Sequence, residues 1–192
     1  MKKTLLFLFF LIGIAGILFA WEPNDLTRFP SCTKAGDKII SLGVGFDRHA
    51  EIGEHWTYIP LLRFSLDYNA ALGDKKLPFF FGGVVGYTGH GYKNNDINAD
   101  FYYSQLNAGV RAGYHFNWGV DGLDTYVVST AGCRIYFGDG YGDENGDLKV
   151  GDILALGVNV GARWFFTDFF GVWAEAGFNS ISVAEIGVVF KF

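Results

Sequence analysis

The sequence predicts an all-β fold, an eight-stranded antiparallel up-and-down transmembrane β-barrel, and three observations predict it. The first is alternation. Between Lys38 and Phe192, eight stretches alternate apolar and non-apolar residues with a period of two, and nearly every polar side chain falls on one face. Residues 102–116 are the clearest: Tyr102, Leu106, Ala108, Val110, Ala112, Tyr114 and Phe116 share one face, Gln105, Asn107, Gly109, Arg111, Gly113 and His115 the other. Successive strand side chains point to opposite faces, so one face suits lipid and the other a polar interior. The second observation is where glycine falls. The polar face carries twelve glycines within the strands (Gly43, Gly45, Gly82, Gly86, Gly109, Gly113, Gly132, Gly157, Gly161, Gly171, Gly177 and Gly187), the apolar face only Gly83. Small residues belong where space is scarce, which is the lumen of a narrow barrel. The third is an apolar face whose only charges, Lys38 and Asp152, both lie at strand ends. A charge at the bilayer midplane costs about 2–4 kcal/mol. A water-soluble barrel would reverse the two faces.

Taken in order, Lys2 and Lys3 form a basic start, Leu5 to Leu18 an apolar core and Ala20 a cleavage position, so residues 1–20 read as a signal peptide. Gly13-Ile14-Ala15 is a second small-x-small site. The apolar run is shorter than the roughly 20 residues of a spanning helix, and no Cys follows it to accept a lipid. Residues 21–37 lack alternation and read as an N-terminal periplasmic segment, either a tail or a plug. Residues 38–192 form the barrel, with strands expected at 38–47, 58–69, 78–88, 101–116, 123–137, 152–166, 169–179 and 182–192. Asn117 to Gly122 and Thr167-Asp168 are tight periplasmic turns; 48–57, 89–100 and 138–151 are outer loops, and the last outer connection, near Asn179 to Ile181, is brief. An even number of strands of about ten residues, joined by alternately short and long connections, is the arrangement of bacterial outer-membrane barrels.

Composition agrees. The 192 residues fit one domain, and 27 Gly, 20 Phe, 10 Tyr and 5 Trp against one Met and four Pro favour strands and turns. Loss of Lys2 and Lys3 with residues 1–20 takes the net charge from −5 to −7, which excludes nucleic acid as a partner. Cys133 falls on the lipid-facing set and Cys32 precedes the first strand, so both are expected to be free thiols. Outward aromatics sort into two levels: Tyr68, Phe79, Tyr114, Phe116, Trp164, Phe166, Phe170, Phe190 and Phe192 at the turn end, and Phe46, Tyr58, Tyr87, Tyr102, Phe137 and Phe178 at the loop end. These are interfacial girdles.

The run Gly161-Ala162-Arg163-Trp164-Phe165-Phe166-Thr167-Asp168-Phe169-Phe170-Gly171-Val172-Trp173-Ala174-Glu175-Ala176-Gly177-Phe178, with the terminal Gly187-Val188-Val189-Phe190-Lys191-Phe192, resembles small outer-membrane β-barrels of the protein-A-barrel, protein-X and protein-W type. The resemblance implies a bacterial outer-membrane location, a monomer in outer-membrane lipid, and a terminal strand whose Phe190 and Phe192 are the assembly signal read by the barrel-assembly machinery. The brief last loop departs from relatives whose extended loops carry adhesion.

Inside, Arg63, Arg111, Arg134, Arg163 and Lys191 face Asp47, Asp67, Asp124, Glu175 and Glu185, five charges of each sign. Unpaired charge in a narrow lumen is costly, so equal numbers predict mutual pairing. If the last hairpin is symmetric about Ser180, Glu175 and Glu185 lie side by side and need Arg163, Arg134 or Arg63 between them. The same counting sets Trp173 opposite Arg163, as a cation–π pair, and His115 opposite Asp124. Phe80, Tyr103, Tyr126, Tyr136, Phe165 and Trp173 fill the remainder. Adjacent carboxylates can do acid–base chemistry, but nearby guanidinium groups keep them ionised, and no catalytic set is expected. A lipid A-modifying enzyme would place Ser and His at the outer rim; His49, His55 and His90 are expected in outer loops, with no paired Ser. The acidic segment Asp139, Asp143, Glu144, Asn145, Asp147 and Asp152 reads as a solvated loop, since Leu148 stands where a Ca²⁺ loop needs Gly. No metal and no cofactor is implied. The expected role is structural or surface-interactive, through the outer loops and a host or extracellular ligand, with a narrow pore for small solutes as the alternative and a lipid A-modifying enzyme as the third reading.

Overall fold

A computed structural model of the chain describes residues 28–47, 56–94, 99–138, 153–179 and 182–192. They form a closed barrel in the order β1-β2-β3-β4-β5-β6-β7-β8, with β1 pairing back to β8. The strands are β1 Lys38–Asp47, β2 Trp56–Leu72, β3 Leu77–Asn94, β4 Ala99–Phe116, β5 Leu123–Gly138, β6 Leu154–Phe165, β7 Phe170–Asn179 and β8 Ser182–Lys191. Every pairing is antiparallel. β1 coincides with its expected span. β2 and β3 run further toward the loop end, so residues 89–94 and 56–57, expected in outer loops, are strand instead. The Thr-Gly-His-Gly run of β3 carries no apolar alternation, yet its backbone pairs with β4, Gly89↔Ser104 and Gly91↔Tyr102 included.

Alternation becomes burial. Along β6, Ala155, Asn159, Arg163 and Phe165 are buried, while Leu156, Val158, Val160 and Trp164 are exposed. The barrel is inverted relative to a soluble one: Arg163, His115, Asp67 and Asn69 are fully buried, whereas Val110 is 68% and Phe178 70% exposed. Only a hydrocarbon solvent makes that arrangement favourable. At the turn end the outward rings touch in series. Phe79 meets Tyr114 at 5.1 Å and Tyr114 meets Phe116 at 5.4 Å; on the other side Phe170 meets Phe190 at 5.4 Å.

The turn ends are set by glycine. Gly122, at φ 77°, closes the β4–β5 connection, and its carbonyl accepts from Phe165 N at 2.8 Å. A Cβ there would lie 2.8 Å from Phe165 O. This turn fixes the register as His115↔Tyr126, so Asp124 is diagonal to His115 rather than opposite, as expected from sequence. Residues 28–37 lie across the same end. Gly36 N donates to Asn69 O, Asn117 Nδ2 to Phe29 O, and Lys191 Nζ to Cys32 O. Pro30 and Thr33 are buried, and Cys32 packs on a cluster of Ile39, Phe165, Trp173 and Val189. Cys32 and Cys133 are free.

Candidate functional site

The lumen is crossed by a chain of alternating charge. Arg163 from β6 donates to Asp124 of β5 at 3.2 Å and Asp67 of β2 at 2.6 Å. Asp67 faces Arg111 of β4, Nε to Oδ1 3.1 Å, and Arg111 reaches Glu175 of β7 at 2.6 Å. Arg63 of β2 forks onto Glu175 at 2.9 and 3.2 Å and also meets Glu185 of β8. The order is Asp124, Arg163, Asp67, Arg111, Glu175, Arg63, Glu185, each group touching the next and each less than 10% exposed. Burial of single ions would cost several kcal/mol apiece; here each guanidinium has two carboxylates, the arrangement its planar fork fits.

Glu175 is the hub. Besides the two arginines it accepts from Tyr126 Oη at 2.9 Å and Asn159 Nδ2 at 3.2 Å. Glu175 and Glu185 are register partners, as hairpin symmetry predicts, and the residue between them is Arg63. The chain ends on His115, whose Nδ1 donates to Asp124 Oδ1 at 2.7 Å, and on Ser182, whose Oγ donates to Glu185. Aromatic rings cover it. Arg163 lies 4.3 Å from the Tyr126 centroid and 5.4 Å from that of Phe80, which packs edge-on against Tyr126 and beside His115.

Two expected partnerships differ, those of Trp173 and Lys191. The cation over Trp173 is Arg63, at 4.8 Å, although Trp173 is the register partner of Arg163. Arg134 donates to Leu154 O at 2.9 Å. Lys191 reaches the Cys32 carbonyl and lies 5.0 Å from the Phe165 ring. Phe190 is a β8 residue half-buried against Phe170, and Phe192, at the strand's end, exchanges backbone hydrogen bonds with Lys38. His90, expected in a loop, is a buried β3 residue, and Ser104 shares a hydrogen bond of 2.9 Å with Tyr87 Oη. The side chains of Asp47 and Tyr103, and residues His49, His55 and 139–152, lie outside the described residues.

The lumen glycines explain how distant strands meet. Arg111, Gly82 and Asp67 are consecutive in one cross-strand row, and the ion pair closes over the glycine. Tyr126, Gly161 and Glu175 form another, closed by the hydroxyl–carboxylate bond. A third runs Arg63, Gly43, Gly187, Trp173, and the guanidinium reaches the indole across both glycines. A Cβ at Gly161 would enter the Tyr126 ring, and one at Gly43 would lie 2.6 Å from Trp173. The sequence carries this signal, a lumen glycine between two large lumen residues in adjacent strands, but reading it requires the register.

Fold and lumen together define an eight-stranded β-barrel of the membrane-spanning kind with an ion-paired interior. Among solved structures it is similar to the outer membrane protein OprG from Pseudomonas aeruginosa, with 15% identity and TM-score 0.48 over 88% of this chain and 99% of that one. It is also similar to the Yersinia pestis outer membrane protein Ail, with 17% identity and TM-score 0.43 over 82% and 99%. A de novo designed transmembrane β-barrel matches with 15% identity and TM-score 0.45 over 83% and 98%. No protein-family model and no curated protein matches the chain.

Proposed function

We propose that this chain is a bacterial outer-membrane barrel whose lumen is closed to solutes, so that its role is structural or is exercised through its outer surface. The observation that carries the reading is the unbroken charge chain through Glu175, with Phe80, Tyr126 and Trp173 packed on it. Twelve lumen glycines would leave room for a pore if nothing filled it; their space is taken at Gly43, Gly82, Gly113 and Gly161 by the side chains of Trp173, Asp67, Phe80 and Tyr126. The docked segment 28–37 adds a second closure at the turn end. In this reading Phe190 and Phe192 present the terminal strand to the barrel-assembly machinery, and the barrel is monomeric in outer-membrane lipid. Any host or extracellular ligand would meet the loop end.

Planar-bilayer conductance of the refolded protein tests it. The native barrel is expected to be silent and an Arg163→Ala, Glu175→Ala variant to conduct. Discrete native conductance would overturn closure and make the protein a narrow pore. Silence in both, with the variant folded, would show that something other than the charge chain blocks the barrel.

A further inference from the structure

One glycine-spaced row is not closed by a side-chain contact. Arg63, Gly86 and Asn107 are consecutive across β2, β3 and β4, the same spacing that brings Arg111 to Asp67. Here a cavity of about 30 Å³ intervenes, walled by Leu61, Gly132 and Ala155 and lined by Arg63, Asn107 and Glu185. Asn107 is 4% and Arg63 6% exposed, yet Asn107 Nδ2 and Arg63 Nε have no hydrogen-bond partner. The remaining groups of both residues are engaged: Asn107 Oδ1 accepts from Gln105 Nε2 at 2.8 Å, and Arg63 Nη1 and Nη2 hold the glutamates.

The charge at this end also asks for a further polar partner. The chain sets three guanidinium groups against four carboxylates. Glu175 and Asp67 each touch two arginines, and Asp124 has Arg163 and His115. Glu185 meets Arg63, already shared with Glu175, and the Ser182 hydroxyl.

We propose that this cavity is an ordered-water site: one or two water molecules accept from Asn107 Nδ2 and Arg63 Nε and donate to the Glu185 carboxylate. A water needs about 10–15 Å³ of such space and two to four polar partners, and both conditions are met. A monatomic anion fits worse because Glu185 faces it. A bare cation fits worse because the orphaned groups are donors. The water is the missing member of the charge chain, joining β4 to β2 and β8 where no side chain is long enough.

The test is NMR of the uniformly ¹⁵N-labelled full barrel in detergent micelles, reading cross-peaks at the water frequency from the Asn107 Nδ2 and Arg63 Nε protons. A buried, long-lived water gives NOE and ROE peaks of opposite sign at both groups, and the lumen-filling Ala155→Leu variant is expected to lose them. Should Ala155→Leu fail to fold, Gly83→Ala on the lipid face serves as the variant that keeps the peaks. Absence of both water peaks in the folded native protein, with the two side chains assigned, overturns the proposal. Peaks of the sign given by fast chemical exchange with bulk water would overturn it too, by showing an open passage in place of a site.

Discussion

Replacing Glu175 by Gln keeps the shape of the lumen's hub and removes its charge, so its effect isolates electrostatics from packing. In the native chain Oε1 accepts from Arg63 Nη2, Arg111 Nη2 and Tyr126 Oη, and Oε2 from Arg63 Nη1 and Asn159 Nδ2. A glutamine amide supplies one acceptor oxygen, and its NH₂ then faces at least two donors. Each charge-assisted bond is worth about 1.5–3 kcal/mol, and leaving a buried ion without its counter-ion costs about 3–5 kcal/mol. With Arg63, Arg111 and Glu175 all nearly solvent-free, screening by water does not reduce these figures. The expected loss is therefore about 3–5 kcal/mol, measured by urea unfolding of the barrel folded in lipid vesicles. Tryptophan fluorescence, to which the buried Trp173 contributes, supplies the signal, and the gel shift of the folded form checks it. The same substitution in an Arg63→Met background should cost at least about 1 kcal/mol less, because the two residues share bonds. A loss below about 1 kcal/mol in the single variant, or strict additivity in the double one, would refute the hub.

Arg163→Lys should also destabilise the barrel, by about 2 kcal/mol or more, because one ammonium cannot fork between Asp67 and Asp124 or stack on Tyr126 as the guanidinium does; a thermal midpoint equal to native would count against this. Gly187→Ala should disrupt folding or cost about 1–3 kcal/mol, since its Cβ would meet the Leu42 carbonyl and lie 2.5 Å from Gly43 Cα, whereas Gly83→Ala, with its nearest neighbour 3.8 Å away, should change stability by less than about 0.5 kcal/mol; paired refolding yields and urea midpoints compare them. Burial pushes the Cys32 thiol from 9.0 up to about 12, so alkylation at pH 8 should run roughly a thousandfold slower than in the unfolded chain. The linkage has a definite sign: the folded state keeps its proton where the unfolded state has lost it, so this contribution is complete below pH 9 and is lost as pH rises toward 12. Substituting Cys32 by Ser should flatten stability against pH over that window, and an unchanged slope would mean the docked segment leaves the thiol accessible.

How much of this could be read from the chain follows from which distances register controls. Period-two alternation fixed the faces, and β1 and the Glu175–Glu185 pairing needed only alternation and a symmetric turn. The choice of Arg63 over Arg163 and Arg134 was beyond that reach, because Arg63 meets Glu185 across β1, a strand that sets Gly43 opposite Arg63 and Gly45 opposite Glu185 rather than a charge. A glycine is silent in a hydropathy pattern, yet here it decides which side chains two strands apart can touch. His115 shows the other limit: a turn longer by two residues shifts its partner from Asp124 to Tyr126, and the imidazole still finds the carboxylate because both point into the same crowded lumen. The interior is thus determined by two rules acting together, charge neutralisation, which demands contact, and glycine placement, which permits it. Where the second acts without the first, between Arg63 and Asn107 over Gly86, a gap remains.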